Sequence, residues 1–274
     1  MKNVVLFGYG KMGSSIAKGW MLKNLNYNFF IVEKENSLRR IADNDGIKSY
    51  EDLNELLKSV DVKSLSIIFL AMKPQQMNEA VKVFTRIDFS KTLFISIAAG
   101  LSFDWFQSKL KKNIKLIRAM PNLPASVGFG VTGYCKTSNV NEIDLKDVQD
   151  LLNAFGKAFY LKSESLIDVV TAISGSGPAY VFYFVEVLSE IGMNEGLSQK
   201  DAKALALETV IGSARLLEMS NIDPKVLKKN VTSAGGTTEA GLEILASNNY
   251  GLYNLLEKTI INAKKRASEL NSNG

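Results

Sequence analysis

Short apolar runs recur through the first half of the chain, separated by stretches of helical periodicity. Asn3-Val4-Val5-Leu6-Phe7 is such a run, of the kind that forms a parallel strand buried on both faces. Phe29–Val32, Leu65–Leu70, Thr92–Ser96 and Ile114–Arg118 repeat it. Ile16, Ala17, Trp20 and Met21 carry a helical period after the first run, and Tyr50–Leu57 is a short helix candidate. Gly128–Tyr134 and Lys157–Leu161 read as further strands, with a helix from about Val140 to Ala154 between them. The alternation predicts an α/β fold with a Rossmann-type parallel sheet over residues 1–162.

The pattern changes near Ser163. Over residues 163–274 the periodicity is helical throughout, and an all-α domain is expected. Ser174-Gly175-Ser176-Gly177-Pro178-Ala179-Tyr180 is expected to open a helix that continues through Val181, Phe182, Phe184, Val185, Leu188 and Ile191. Pro178 suits a first helical position, with Ser176 or Gly177 as its cap. A helix this apolar must be covered on most sides, by its own core or by a second subunit. Ser198–Met219 is a second long helix, Asn221–Pro224 a connector, and Tyr250–Leu270 the last helix. Long apolar helices of this kind mark the C-terminal half as a dimerisation domain as well.

Gly8-Tyr9-Gly10-Lys11-Met12-Gly13 lies between the first strand and the first helix. In that context G-x-G-x-x-G is a dinucleotide-binding fingerprint. The first glycine makes the turn, the second admits a pyrophosphate, and the third lets helix and strand approach. Glu33 ends the second strand 20 positions after Gly13, where an acidic side chain binds the adenosine ribose hydroxyls. Glu33 favours NAD(H), whereas Lys34, Arg39 and Arg40 nearby favour a 2′-phosphate; the balance of the reading is toward NADH. Ala71-Met72-Lys73-Pro74 follows the Leu65–Leu70 strand, at the carboxyl edge where ligands bind in such sheets. Lys73 is there either a cofactor contact or a surface lysine. Ala99, in Ile97-Ala98-Ala99-Gly100, is small where a nicotinamide ring would pass.

Val231-Thr232-Ser233-Ala234-Gly235-Gly236-Thr237-Thr238-Glu239-Ala240-Gly241 reads as a tight turn feeding a helix. The first turn of a helix presents unpaired N–H groups and partial positive charge. Two glycines clear the approach, and Ser233, Thr237 and Thr238 add hydroxyls. Such a turn cradles an anion, a carboxylate included; the other reading is an ordinary capped helix start.

Composition narrows the chemistry. The chain has 274 residues and no histidine, so the commonest general acid/base and the commonest zinc ligand are both missing. No metal site is expected. Catalysis must rest on a cofactor, on hydroxyls, lysines or carboxylates, or on the backbone. The formal charge is +5, which suits small anions; no basic run marks a nucleic-acid surface, and Lys264-Lys265-Arg266 reads as a solvated helix face. Cys135 is the single cysteine, so no internal disulfide forms and a reducing, cytoplasmic setting is expected. No apolar run approaches a membrane span, and the immediate entry into a strand argues against a signal peptide.

The chain resembles the pyrroline-5-carboxylate reductases over its whole length. Six segments carry the likeness: Gly8–Gly13, Lys73-Pro74, Ser96–Gly100, Arg118-Ala119-Met120-Pro121-Asn122, Ser174–Tyr180 and Val231–Thr238. The resemblance implies reduction of L-1-pyrroline-5-carboxylate to L-proline by NADPH or NADH, the last step of proline biosynthesis. It implies a homodimer through the C-terminal helices, with larger rings of dimers in many members. It also places the substrate carboxylate on backbone N–H groups around Gly236 and Thr237, the Thr238 hydroxyl on the ring nitrogen, and Asn230 near the substrate. Three positions depart from the family pattern: Leu123 for Thr, Ala234 for Pro and Lys229 for Asp.

Two other readings compete. A β-hydroxyacid dehydrogenase shares the two-domain plan, but it uses a lysine on the helix that opens the second domain, and residues 174–195 contain none. A non-catalytic nucleotide-binding regulator would not need the intact Gly235-Gly236-Thr237-Thr238 turn. Reduction of a related cyclic imine stays open.

Overall fold

The computed structural model describes residues 1–110 and 113–272. The chain divides into two compact units, one formed by residues 1–176 with the last turns from Ala263, the other by residues 177–262. The first unit therefore runs past the change of character at Ser163.

An eight-stranded sheet organises the first unit, in the order β3-β2-β1-β4-β5-β6-β7-β8. Its strands are β1 (Lys2–Phe7), β2 (Tyr27–Val32), β3 (Lys48–Tyr50), β4 (Leu65–Leu70), β5 (Leu93–Ser96), β6 (Lys115–Met120), β7 (Gly130–Lys136) and β8 (Gly156–Tyr160). The helices are α1 (Lys11–Leu22), α2 (Asn36–Asn44), α3 (Leu53–Leu57), α4 (Pro74–Phe84), α5 (Phe103–Lys109), α6 (Glu142–Asn153) and α7 (Leu166–Val170).

The continuous apolar strands bury both faces. Val4 and Leu6 of β1 join Ile67 and Phe69 of β4 in one core, against Ile16 and Trp20 of α1 and Val148 and Leu151 of α6. Val5 and Phe7 alternate to the other face with Ile68 and Leu70, against Met77, Val81 and Phe84 of α4 and Phe106 of α5. Trp20 stacks on Phe29 at 4.9 Å, and its indole N–H donates to the Leu151 carbonyl at 2.9 Å.

Two features differ from the expectation. Tyr50 belongs to β3, which pairs with β2, and the helix begins only at Leu53, where the Asp52 side chain accepts from Glu55 N–H. Three residues with one buried side chain leave too little pattern to read as a strand. The sheet is also not wholly parallel, since β7 runs antiparallel to β6. The connection from Met120 to Gly130 contains only a short 3₁₀ turn, Leu123–Val127. A parallel partner would need a crossover of about a dozen residues or more.

The second unit holds α8 (Gly177–Asn194), α9 (Gln199–Ser220), α10 (Pro224–Asn230), α11 (Thr237–Leu245) and the first part of α12 (Leu252–Ser272). Helix α10 was not expected from the pattern; Asp223 caps it by accepting from Lys225 N–H, and Pro224 supplies its first turn. Nor does α8 start from a free, capped end. Residues Thr171–Gly175 form a π turn, Ser176 is itself helical, and its N–H donates to the Thr171 carbonyl at 2.8 Å. Ser176 thus extends helical backbone that α7 had already begun. No described helix is long and apolar enough to cross a membrane.

Ser189 is the only buried residue that α8 contributes within its own chain. Val181, Phe182, Tyr183 and Phe184 stand 47%, 58%, 65% and 46% exposed. Its own chain thus covers this helix only in part.

Candidate nucleotide cleft and substrate turn

The order of the sheet reverses between β1 and β4, the place where open α/β sheets bind ligands at their carboxyl edge. Gly8 follows β1 with φ +93°, and its N–H donates to the Val32 carbonyl at 2.9 Å. A side chain there would be strained by the left-handed backbone and would sit 3.0 Å from the Ala71 carbonyl group. Gly10 precedes α1, which has neither a side-chain cap nor an acidic residue in its first turn. The amides of Lys11 and Met12 therefore begin an uncapped helix, an arrangement suited to a phosphate.

The two remaining motif glycines have different roles. A Cβ on Gly13 would lie 2.1 Å from the Gly8 carbonyl oxygen, whereas one on Gly10 would meet nothing within 4 Å. Gly13→Ala is therefore expected to lower Tm, since overpacking of this kind costs about 1–3 kcal/mol. Gly10→Ala should leave Tm in place and weaken dinucleotide binding by about tenfold or more, because its Cβ enters ligand space. Thermal melts with and without NADH separate the two roles. Equal Tm losses in both variants would make Gly10 a packing glycine.

Tyr9 contributes backbone rather than side chain. Its ring is buried, and its hydroxyl donates to Asp45 at 2.7 Å. Burial first, and then Asp45, push its pKa above the usual tyrosine range. Its N–H donates to Glu33 Oε2 at 2.7 Å, and Glu35 N–H donates to Oε1 at 3.0 Å. The two amides hold the Glu33 carboxylate in one orientation beside the glycine loop. Arg39 donates to the Glu33 and Lys34 carbonyls at 2.8 and 2.7 Å, so it braces the end of β2. Lys34 pairs with Glu79 of α4 at 2.7 Å.

A cleft of about 390 Å³ opens beside these groups. It is lined by Phe7, Gly8, Val32, Glu33 and Lys34, by Met72 after β4, by Glu51–Asn54 before and within α3, and by Gln76, Glu79, Ala80 and Val83 of α4. Its mix of apolar and polar lining residues and its volume suit a small-ligand site. Lys73, just before α4, is exposed, and its N–H donates to Gln76. Pro74 is the first residue of α4, as expected.

Ala99 lies elsewhere along the edge. It lines a small cavity of about 30 Å³ with Gly100, Arg118, Met120, Ile167, Asp168 and Thr171, closed by Ala267 and Leu270 of α12. The Leu270 carbonyl sits where a Gly100 side chain would be, 2.9 Å from its ideal Cβ. Ser268 donates to Asp168 at 2.8 Å. The expectation for Ala99 did not include the end of the chain packed beside it.

Two groups missed at the sequence level stiffen this edge. Arg118 is buried and paired with Glu164, which also accepts from Phe103 N–H at 2.6 Å. Asn122 donates to the Ser174 carbonyl at 3.0 Å and accepts from Val131 N–H at 2.8 Å. It thereby ties the loop after β6 to the π turn. Both sit in segments that carried the family likeness, yet only the fold shows what they hold. Leu123, next in the chain, is 52% exposed.

The turn before α11 lies in the second unit. Gly235 has φ +73°, a left-handed value that favours glycine, and its N–H donates to Glu239 Oε2 at 2.7 Å. Gly236 N–H donates to the Ser233 carbonyl at 3.0 Å. This modifies the expected cradle, because both glycine amides are occupied within the turn. Gly236 instead leaves room for Ser233, whose hydroxyl lies 2.4 Å from the ideal Cβ position. The amides of Thr237 and Thr238 open α11 without a side-chain cap. Thr237 and Thr238 are exposed, as are Ser233 and Asn230, the last residue of α10. Lys229 stands in the last turn of α10, where a cation complements the helix dipole better than an acid.

Comparison with known proteins supplies the family context. Residues 3–100 match the family model described as NADP oxidoreductase, coenzyme F420-dependent, and residues 164–270 match pyrroline-5-carboxylate reductase dimerisation. The pyrroline-5-carboxylate reductase of Staphylococcus epidermidis is 34% identical over 97% of both chains. That of Aquifex aeolicus is 34% identical over 88% of both. The Coxiella burnetii pyrroline-5-carboxylate reductase structure has a TM-score of 0.89 at 29% identity, covering 98% of each chain. The Plasmodium falciparum pyrroline carboxylate reductase, solved with NADP bound, has a TM-score of 0.81 at 30% identity over 98% of each.

Proposed function

The chain belongs to the pyrroline-5-carboxylate reductase family, and we infer from this that it reduces L-1-pyrroline-5-carboxylate to L-proline, the last step of proline biosynthesis. It is an oxidoreductase that uses NAD(P)H and forms a homodimer. Family membership carries the substrate assignment, and the uncapped start of α11 behind Gly235 and Gly236 is the feature suited to the substrate carboxylate.

The nicotinamide supplies the hydride when bound; the chain supplies orientation. The amides of Lys11 and Met12 at the start of α1 take the pyrophosphate, and Glu33 takes the ribose hydroxyls. On α11 the Thr237 and Thr238 amides receive the substrate carboxylate. The Thr238 hydroxyl meets the ring nitrogen, as donor to the imine or as acceptor from the iminium and the product amine. A cyclic imine is protonated readily enough that its carbon needs no histidine to become electrophilic. Alignment of the reactants contributes on the order of 7 kcal/mol or more.

The cofactor preference proposed for this chain is NADH. The relative from Plasmodium carries NADP, so side chains at the cleft make the choice. Glu33, Glu51 and Asp52 line it, and the one cation lining it, Lys34, is paired with Glu79, so a 2′-phosphate would enter among like charges. Glu33→Ser is expected to raise the NADPH/NADH ratio of kcat/KM by about tenfold, since hydrogen bonds to a charged group contribute about 1.5–3 kcal/mol. An unchanged ratio removes Glu33 as the ribose reader.

The single thiol, Cys135, is buried and pushed up to about 12 by that burial, so it has no role in exchange chemistry; a chain with one cysteine and no internal disulfide suits a reducing, cytoplasmic setting. A ring of dimers is the further assembly that the family likeness supports, and light scattering on the purified chain measures it. The founding test is oxidation of NADH and of NADPH with pyrroline-5-carboxylate. Turnover with either supports the assignment. None with both, from folded protein that binds nucleotide, overturns it in favour of a non-catalytic nucleotide binder or another imine.

A further inference from the structure

We propose that Glu79 sets the cofactor preference of the cleft by holding Lys34 away from the position of a 2′-phosphate. The proposal rests on the nucleotide reading of the cleft and concerns a residue outside the glycine loop and outside β2.

Lys34 follows Glu33 at the end of β2, and Glu79 stands in α4. The two side chains meet at 2.7 Å, and both line the cleft. Lys34 is the only cation among the residues lining it. Arg39 is close in sequence, but its guanidinium donates to two backbone carbonyls and has Glu51 at 3.8 Å. Among the residues that line the cleft, the favourable charge for a 2′-phosphate therefore comes from Lys34.

Glu79 denies that charge. It already neutralises the ammonium, which its contact holds above the usual lysine range, while Lys34 holds the Glu79 carboxyl below its own. A ribose with a free 2′-hydroxyl leaves the pair intact. A 2′-phosphate has to draw Lys34 off Glu79 and then lies beside a carboxylate without a counterion. Glu33 adds a second carboxylate beside it that cannot swing aside, since Tyr9 and Glu35 N–H fix its orientation. The pair is exposed on both sides, so its effect is modest and sensitive to salt.

The test uses calorimetry on the full chain with 5′-AMP and with adenosine 2′,5′-bisphosphate, which differ only in the 2′-phosphate. Glu79→Gln is expected to shift the ratio of dissociation constants toward the bisphosphate by about fivefold, the upper end for an exposed ion pair. The shift should vanish in Lys34→Gln/Glu79→Gln. It should also shrink between about 0.1 and 1 M salt, as the screening length falls from about 10 to 3 Å. A purely structural role for Glu79 would move both affinities together and leave the ratio alone. Glu33→Ser separates the possible failures. If it relaxes the ratio while Glu79→Gln does not, the cleft stands and the role of Glu79 is overturned. If neither variant moves the ratio, the nucleotide reading of the cleft fails and this inference with it. A shift that survives removal of Lys34 overturns the proposal in favour of direct repulsion by Glu79.

Discussion

Thr238→Ala is expected to lower kcat/KM for pyrroline-5-carboxylate by about a hundredfold, the usual loss when one positioned hydrogen-bonding group at the reacting atoms is removed. The substitution is well suited to isolate the hydroxyl. Thr238 is the second residue of α11 and exposed in the single chain, so no packing within the chain is lost. Alanine is the better helix former, so the first turn persists, and its amide remains for the substrate carboxylate. Thr238 is not among the residues lining the nucleotide cleft, so NADH affinity should hold. Thr238→Ser should recover most of the activity. Steady-state kinetics with calorimetric NADH binding checks all of this; kcat/KM within twofold of the parent would take Thr238 out of the mechanism.

Phe182→Asp is expected to convert the homodimer to monomer at micromolar concentration and to lower Tm. The four consecutive residues from Val181 to Phe184 are each 46% exposed or more in the single chain. Covering a large apolar side chain contributes about 1.5–3 kcal/mol. A twofold interface loses that at both copies, and an aspartate placed there must be desolvated without a partner at a cost of several kcal/mol per ion. Light scattering reads the assembly, and Phe182→Ala grades the effect with a smaller perturbation. A Phe182→Asp protein that remains dimeric with an unaltered Tm would place α8 outside the interface.

The strands β1, β2, β4, β5 and β6 were legible because a parallel strand covered on both sides is a plain apolar run, bounded by glycine or polar residues. The glycine loop was legible for the same local reason: strand, turn and helix follow within a dozen residues. β3 was not, since Lys48-Ser49-Tyr50 has its place only because β2 offers an open edge. Helix α10 was masked by its short length, and the π turn at Thr171–Gly175 has no periodicity of its own. At the candidate sites, residue types and spacing identified Gly8, Gly10, Gly13, Glu33 and the Gly235–Thr238 turn. They could not show that the Tyr9 ring points into the core, that Glu239 and Ser233 occupy the two glycine amides, or that Glu79 reaches Lys34 across 45 positions.

The chain's own order of residues was thus enough to determine the alternating α/β half, the helical half, the nucleotide loop and the family, because each depends on periodicity or on neighbours within one turn. Tertiary structure alone decided which amides stay available, which cations are already paired, and where Asn122 and Arg118 anchor the sheet edge. Those outcomes depend on groups far apart in sequence meeting at hydrogen-bond distance, and a contact of a few ångströms leaves no period in the sequence.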